Sequence, residues 1–130
     1  MTWLVEFDGE FKAEFDGFAG VVKIELLARA KVLEKFGPSL GRPSVDTLAG
    51  SAYRNMKELR FNADGGAWRI AFAFDPERKA ILLCGGDKAG KNQRRFYERL
   101  VRIADQRFKA HLTHLGDYKE TYGQDIATSN

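Results

Sequence analysis

The heptapeptide WRIAFAF, Trp68 to Phe74, constrains the fold of this chain more than any other stretch. Only an extended backbone sends successive side chains to opposite sides. Trp68, Ile70, Phe72 and Phe74 then fall on one side, with Arg69, Ala71 and Ala73 on the other. Helices must cover the bulky side. The preceding run, KELRF, repeats the pattern with Leu59 and Phe61 on the bulky side and Glu58 and Arg60 opposite. Between the two runs, NADGG (Asn62 to Gly66) supplies residues that tolerate turn dihedrals, so an antiparallel hairpin is expected. A third run, AILLC, comes after the DPERK connection and extends the meander.

Elsewhere the hydrophobic period is helical. WLVEF (Trp3 to Phe7) reads as a first strand, and a short helix is expected next, around Glu10 to Phe18. In VVKIELLARAKVLEKFG, Val22, Leu26, Ala30 and Leu33 recur at helical spacing. That helix is expected to stop at Gly37, which can take the left-handed C-cap conformation, with Pro38 preventing continuation. SLGRPSVDTLAGS reads as a polar loop. A last amphipathic helix is predicted from about Asn92 to Leu115, with Tyr97, Leu100, Val101, Ala104, Phe108 and Leu112 as its apolar stripe. The expected class is α+β, a small antiparallel sheet packed against N-terminal helices with a C-terminal helix. At 130 residues this is one domain rather than two, over 1–115, and 116–130 reads as a polar, flexible tail.

Composition narrows the function. A chain that is 44% hydrophobic and 30% charged, with three prolines, is globular rather than disordered. No apolar run approaches the roughly 20 residues that span a bilayer, and MTWLVEFDGE is acidic where a signal peptide is basic. A cytoplasmic protein without a membrane partner is expected. Charge is uneven: residues 51–109 carry fourteen Lys/Arg against seven Asp/Glu, while 1–50 carry six against eight and 110–130 one against three. Such clustering favours a polyanionic partner, because phosphate contacts dominate affinity for nucleic acid. For the last helix alone, the same charges also fit a solvated face.

Arg60 and Arg69 sit in neighbouring strands, opposite the bulky face and beside alanines, which describes an open cationic groove suited to a phosphodiester. Solvated strand arginines, paired with Glu58, fit the spacing equally well. GGDKAGKN (Gly85 to Asn92) nearly matches the phosphate-binding G-x-x-x-x-G-K-[ST] pattern. Asn92 replaces the hydroxyl that would bind Mg²⁺, and the chain lacks repeated βα units, so an NTPase is not expected. Glycine-freed amides at a helix start still attract anions, with Lys88 and Lys91 beside them. A flexible turn with exposed lysines competes with that reading. His111 and His114 are too few for a metal site, and no cofactor is expected. No G-x-S-x-G supports a serine triad. The single cysteine, Cys84, lies in an apolar run and is given no role. Tyr97 could stack on a base or assist proton transfer.

Taken in order, LAGSAYRNMKELRF, WRIAFAFDP, ILLCGGDKAGK and the terminal helix resemble RelE-type toxins, and more narrowly their phage Gp49-like, HigB-related branch. The resemblance spans roughly residues 3 to 115. It implies a RelE-like fold and the toxin of a toxin–antitoxin pair. The implied activity is ribosome-dependent mRNA cleavage, a metal-free attack of a ribose 2′-hydroxyl on the neighbouring phosphate that halts translation. Arg60 and Arg69 would clamp the phosphate and its transition state. Lys88 matches the place where relatives carry a lysine pair, although their KKT pattern is altered here, which leaves the acid and base unassigned. Tyr97 completes the candidate catalytic set, and Lys57, Lys91, Arg94 and Arg95 are the candidate RNA-binding residues. The implied partners are the ribosome, mRNA and a cognate antitoxin of the helix-turn-helix DNA-binding kind. Two alternatives stay open: a ParE-like inhibitor of DNA gyrase that is no nuclease, and a non-catalytic relative that binds RNA or antitoxin.

Overall fold

A computed structural model describes residues 2–118. The chain runs β1 (Leu4–Phe7), α1 (Gly9–Asp16), α2 (Gly20–Phe36), a short 3₁₀ turn (Gly37–Ser39), β2 (Val45–Thr47), β3 (Lys57–Ala63), β4 (Gly66–Phe74), β5 (Lys79–Asp87) and α3 (Gln93–Tyr118). The strands form one sheet in the order β1-β5-β4-β3-β2. Three pairings are antiparallel, but β1 runs parallel to β5, so the sheet is mixed rather than wholly antiparallel. The two-helix excursion between β1 and the meander permits this, since parallel neighbours need a long connection.

The hairpin forms as expected. Its turn is two residues, Asp64 and Gly65, with φ of 52° and 74°, the paired positive values that match the twist of the flanking strands. On the bulky face, Leu59, Phe61, Ile70, Phe72 and Leu82 meet Phe11 and Phe15 of α1 and Val22, Leu26 and Leu33 of α2. Each such side chain, fully buried, contributes on the order of 2 kcal/mol. Asp8 starts α1 by accepting the Phe11 amide at 3.1 Å. Gly37 does end α2, with φ 55° and ψ −139°, outside the left-handed helical region expected. A side chain there would enter the Trp3 indole.

Three further expectations are corrected. The stretch read as a polar loop contains β2, whose Val45 is buried against Leu59 of β3; three residues are too few to show a period. The alanine face is not open. α3 lies across it, packing Leu100, Ala104 and Phe108 on Ala71, Ala73, Ile81, Leu83 and Cys84, because alanines let a helix axis come close. Gly85 to Asp87 belong to β5 rather than to a loop. α3 also continues past Leu115 through Tyr118, and the rest of the expected tail, 119–130, lies outside the described residues.

β5 carries a bulge. Ala71 faces Cys84 while Phe72 faces Leu82, which leaves Leu83 as the extra residue. Leu83 and Cys84 therefore both join the α3 layer, and the alternation reverses beyond them. A side chain at Gly85 would strike Ile70, and one at Gly86 would come within 3.3 Å of Phe96 on α3. Close packing on both sides explains the glycine pair.

Candidate active site

The end of the α3-covered face nearest the start of that helix is charged rather than apolar. Arg60 and Arg69 are direct cross-strand partners, and Glu58 lies one step along the same face, opposite Ala71. Tyr97, on the second turn of α3, reaches down to them. Its hydroxyl is 3.4 Å from Glu58 Oε1, and Arg60 Nε is 3.6 Å from the same oxygen. Arg69 sits beneath, 7% exposed, with Nη1 donating to Trp68 O at 2.8 Å. Gly86 faces Arg69 from β5 and leaves room for it.

The cluster is incompletely satisfied. Glu58 Oε2 and Arg69 Nε are buried without a hydrogen-bond partner among the described residues. Each such group costs about 1–3 kcal/mol, so this arrangement is a poor way to build stability. Burial pushes the Glu58 carboxyl above its ordinary range, against the opposing pull of the Tyr97 hydroxyl and of Arg69 and Arg60. Burial, and then the Glu58 charge, raises the Tyr97 phenol, while Arg69 works the other way. A carboxylate pushed up in this manner takes protons near neutral pH more readily than an exposed one, and the guanidinium pair beside it can hold an anion.

Of the candidates named from sequence, Arg60, Arg69 and Tyr97 are brought together. Arg60, with 31% of its side chain exposed, is the arginine that reaches solvent, and Asp46 of β2 stands 4.0 Å from it. Lys88 lies just past the end of β5, its amide bonded to Ala67 O at 2.9 Å, and no hydrogen bond among the described residues ties its side chain to Glu58. Lys57 shares the parity of Leu59 and Phe61, so it faces the α1 and α2 side, away from the cluster. Lys91, Arg94 and Arg95 are exposed around the start of α3, with Arg94 paired to Glu98 at 2.9 Å.

The loop read as an anion cradle is filled by its own residues. Asp87 Oδ1 accepts the amides of Ala67 and Ala89, each at 2.9 Å, and Asn92 Oδ1 caps α3 by accepting the Arg95 amide at 3.0 Å. His111 instead meets the buried Asp75 at 2.8 Å, far along α3 from Tyr97. Among the described residues, no three His, Cys, Asp or Glu side chains are grouped to hold a metal. No helix among them is long and apolar enough to cross a membrane. Cys84 is buried and its thiol is pushed up to about 12, which makes it unreactive.

Glu58 was in view in the sequence only as an ion-pair partner. The signal that could have singled it out was its parity: a carboxylate sharing a strand face with two arginines and with the alanines that let α3 pack closely.

Comparison with known proteins adds kinship to this geometry. Residues 13–109 match the family described as phage derived protein Gp49-like. The chain is 46% identical over 95 residues to the putative toxin HigB2 of Mycobacterium tuberculosis, covering 72% of this chain and 47% of that one. It is 58% identical over 76 residues to the putative toxin HigB3 of the same organism, covering 58% and 64%. The chain thus spans about half to two thirds of these relatives. Its fold is similar to a mutant of the E. coli toxin RelE in the free state, with TM-score 0.60 and 13% identity over 82% of this chain and 98% of that one. It is also similar to an archaeal RelE–RelB complex from Pyrococcus horikoshii, with TM-score 0.50 and 16% identity over 69% and 99%.

Proposed function

Because the chain belongs to the phage-derived Gp49-like family and has a RelE-like fold, we propose that it is the toxin of a toxin–antitoxin pair and cuts mRNA on the ribosome. The observation that carries the reading is the cluster of Glu58, Arg60, Arg69 and Tyr97, drawn from two strands and a helix, with buried hydrogen-bonding capacity left unused. Glu58 takes the proton of a ribose 2′-hydroxyl. The freed oxygen attacks the adjacent phosphorus, the 5′-oxygen of the next nucleotide leaves, and a cyclic phosphate remains. Arg60 binds the scissile phosphate from the solvent side. Arg69 supports the growing negative charge from beneath, where exclusion of water strengthens it. Lys88 supplies the leaving-group proton. Lys91, Arg94 and Arg95 hold the flanking backbone, while Lys57 faces the other side of the sheet and is set aside. The ribosome orients the strand, since phosphate contacts alone do not select a sequence.

The two relatives named as toxins support this reading. A cognate antitoxin is supported by the archaeal RelE, whose structure is a complex with RelB. The test is translation in a purified ribosomal system with mapping of mRNA 5′ ends. New ends inside the codon of the decoding site are expected. Translation that stops without new ends would overturn the nuclease assignment, and loss of gyrase supercoiling in its place would move the chain to the ParE-like class.

A further inference from the structure

On its outer side β5 is only half covered. β1 pairs with Lys79 to Leu82, and the last link is the Asp8 amide donating to Leu82 O at 2.8 Å. β5 runs on to Asp87, and among the described residues the strand order puts no other strand on that side. The Arg107 guanidinium takes Leu83 O at 2.8 Å. Beyond the bulge, the Lys88 amide bonds Ala67 O, which sets the even-numbered residues against β4. Alternation then turns the N–H and C=O of Gly85 and Asp87 outward.

That edge opens on a cavity of about 700 Å³ between α1 and α3. Phe18 and Glu14 form one wall, Phe96, Arg95 and Arg99 the other, and Lys91 stands at its end. Among the described residues, Lys91, Arg95 and Arg99 have no carboxylate at ion-pair distance, while Glu14 is held by Arg107. The cleft therefore joins a strand edge open among the described residues to three cations, of which Lys91 lies over the Phe96 ring and none has a carboxylate at ion-pair distance there.

We infer that this cleft receives an extended acidic segment of a partner protein, added to β5 as a further strand. The outward groups alternate donor and acceptor at strand spacing, and a second peptide backbone completes both kinds. A phosphodiester brings acceptors only and would leave the outward carbonyls of Gly85 and Asp87 unmet. Gly85 and Gly86 carry no side chains, so a partner backbone can come close, and the packing against Ile70 and Phe96 keeps them glycine. Bare edges invite indiscriminate pairing. Here the two walls restrict entry to a single strand, and the cations select acidic side chains along it. The inference does not need the nuclease chemistry, but it shares Lys91 and Arg95 with the RNA contacts proposed above, so the acidic segment and RNA would compete for these two cations.

The test uses the full chain and a fluorescein-labelled eight-residue peptide alternating valine with glutamate, against a counterpart alternating valine with lysine. Anisotropy should show the glutamate peptide binding at least tenfold more tightly. Amide hydrogen exchange should slow at least tenfold at Gly85 and Asp87 and stay unchanged at Gly86. Arg95→Glu with Arg99→Glu, both on the exposed surface of α3, should reverse the charge preference with the circular dichroism spectrum retained. Absence of binding, protection elsewhere than Gly85 and Asp87, or indifference to the charge reversal would overturn the inference. So would an oligouridylate that protects these amides where the peptide does not, which would make the cleft an RNA groove.

Discussion

Phe72 and Ala73 are consecutive residues of β4, each no more than 1% exposed, yet they lie in packing of opposite kinds. Phe72 enters a layer of aromatic and branched side chains covered by α1 and α2. Ala73 enters a layer in which small residues let α3 approach, and that layer passes from Leu100, Ala104 and Phe108 at one end to Glu58 and Arg69 at the other. One face gains stability from nearly every residue it covers. The other carries buried polar atoms without partners, which lowers stability and leaves groups ready for a ligand. The difference teaches where to look for function on a sheet covered on both sides: at the end where apolar packing gives way to unmet polar groups.

The largest expected effect tests the polar end. Glu58→Gln keeps the side-chain shape and removes the base, so single-turnover mRNA cleavage on ribosomes should fall by up to about 10⁴-fold while the chain stays folded. A rate within threefold of the unaltered chain would remove Glu58 from the chemistry. The faces themselves are compared by a pair of substitutions read in denaturant unfolding. Phe72→Ala should cost about 4 kcal/mol by opening a cavity in a layer that cannot collapse. Ala73→Val should cost about 2 kcal/mol for the opposite reason, overpacking under α3. It should also slow cleavage, since α3 carries Tyr97. Equal, mild effects at both positions would mean that the two layers are packed alike.

Much of this was legible in the sequence because period two is hard to mistake. WRIAFAF and KELRF assigned their residues to faces correctly, NADGG placed the hairpin, and the helical stripe of α3 was read residue by residue. What failed had a common cause: alternation says which side a residue faces but not what covers that side. Arg69 beside Ala71 and Ala73 looked like an open groove, yet small residues are also what a closely packed helix requires, and α3 is there. β2 escaped because three residues of edge strand carry no period, and the GG of GGDKAGK looked like a loop because glycine in a strand gives the same letters. The candidate site was half legible. Arg60, Arg69 and Tyr97 were named from sequence, but their meeting at Glu58 depends on α3 packing across β4 and β5 so that Tyr97 reaches over to β3, which no local pattern encodes.

The smallest effect concerns pH and stability, and it asks whether the polar end really is held at a cost. Burial raises the Glu58 carboxyl above its ordinary value, more than Tyr97 and the arginines lower it. The folded chain therefore holds that proton more tightly than the unfolded chain. Between the ordinary carboxylate pKa and the raised one, the unfolded state binds fewer protons, so this residue's contribution to stability falls as pH rises through the window. Glu58→Gln cannot titrate. Other groups titrate in both proteins, so the quantity to follow is the stability of the variant minus that of the unaltered chain, from denaturant unfolding between about pH 4 and about pH 7. That difference should shift in favour of the variant as pH rises and level off once Glu58 is ionised in both states. A shift the other way would mean that Arg60 and Arg69 hold the carboxylate charged at a profit to the fold. The polar end of the α3 face would then be a stabilising ion cluster, no different in kind from Arg107 with Glu10 and Glu14.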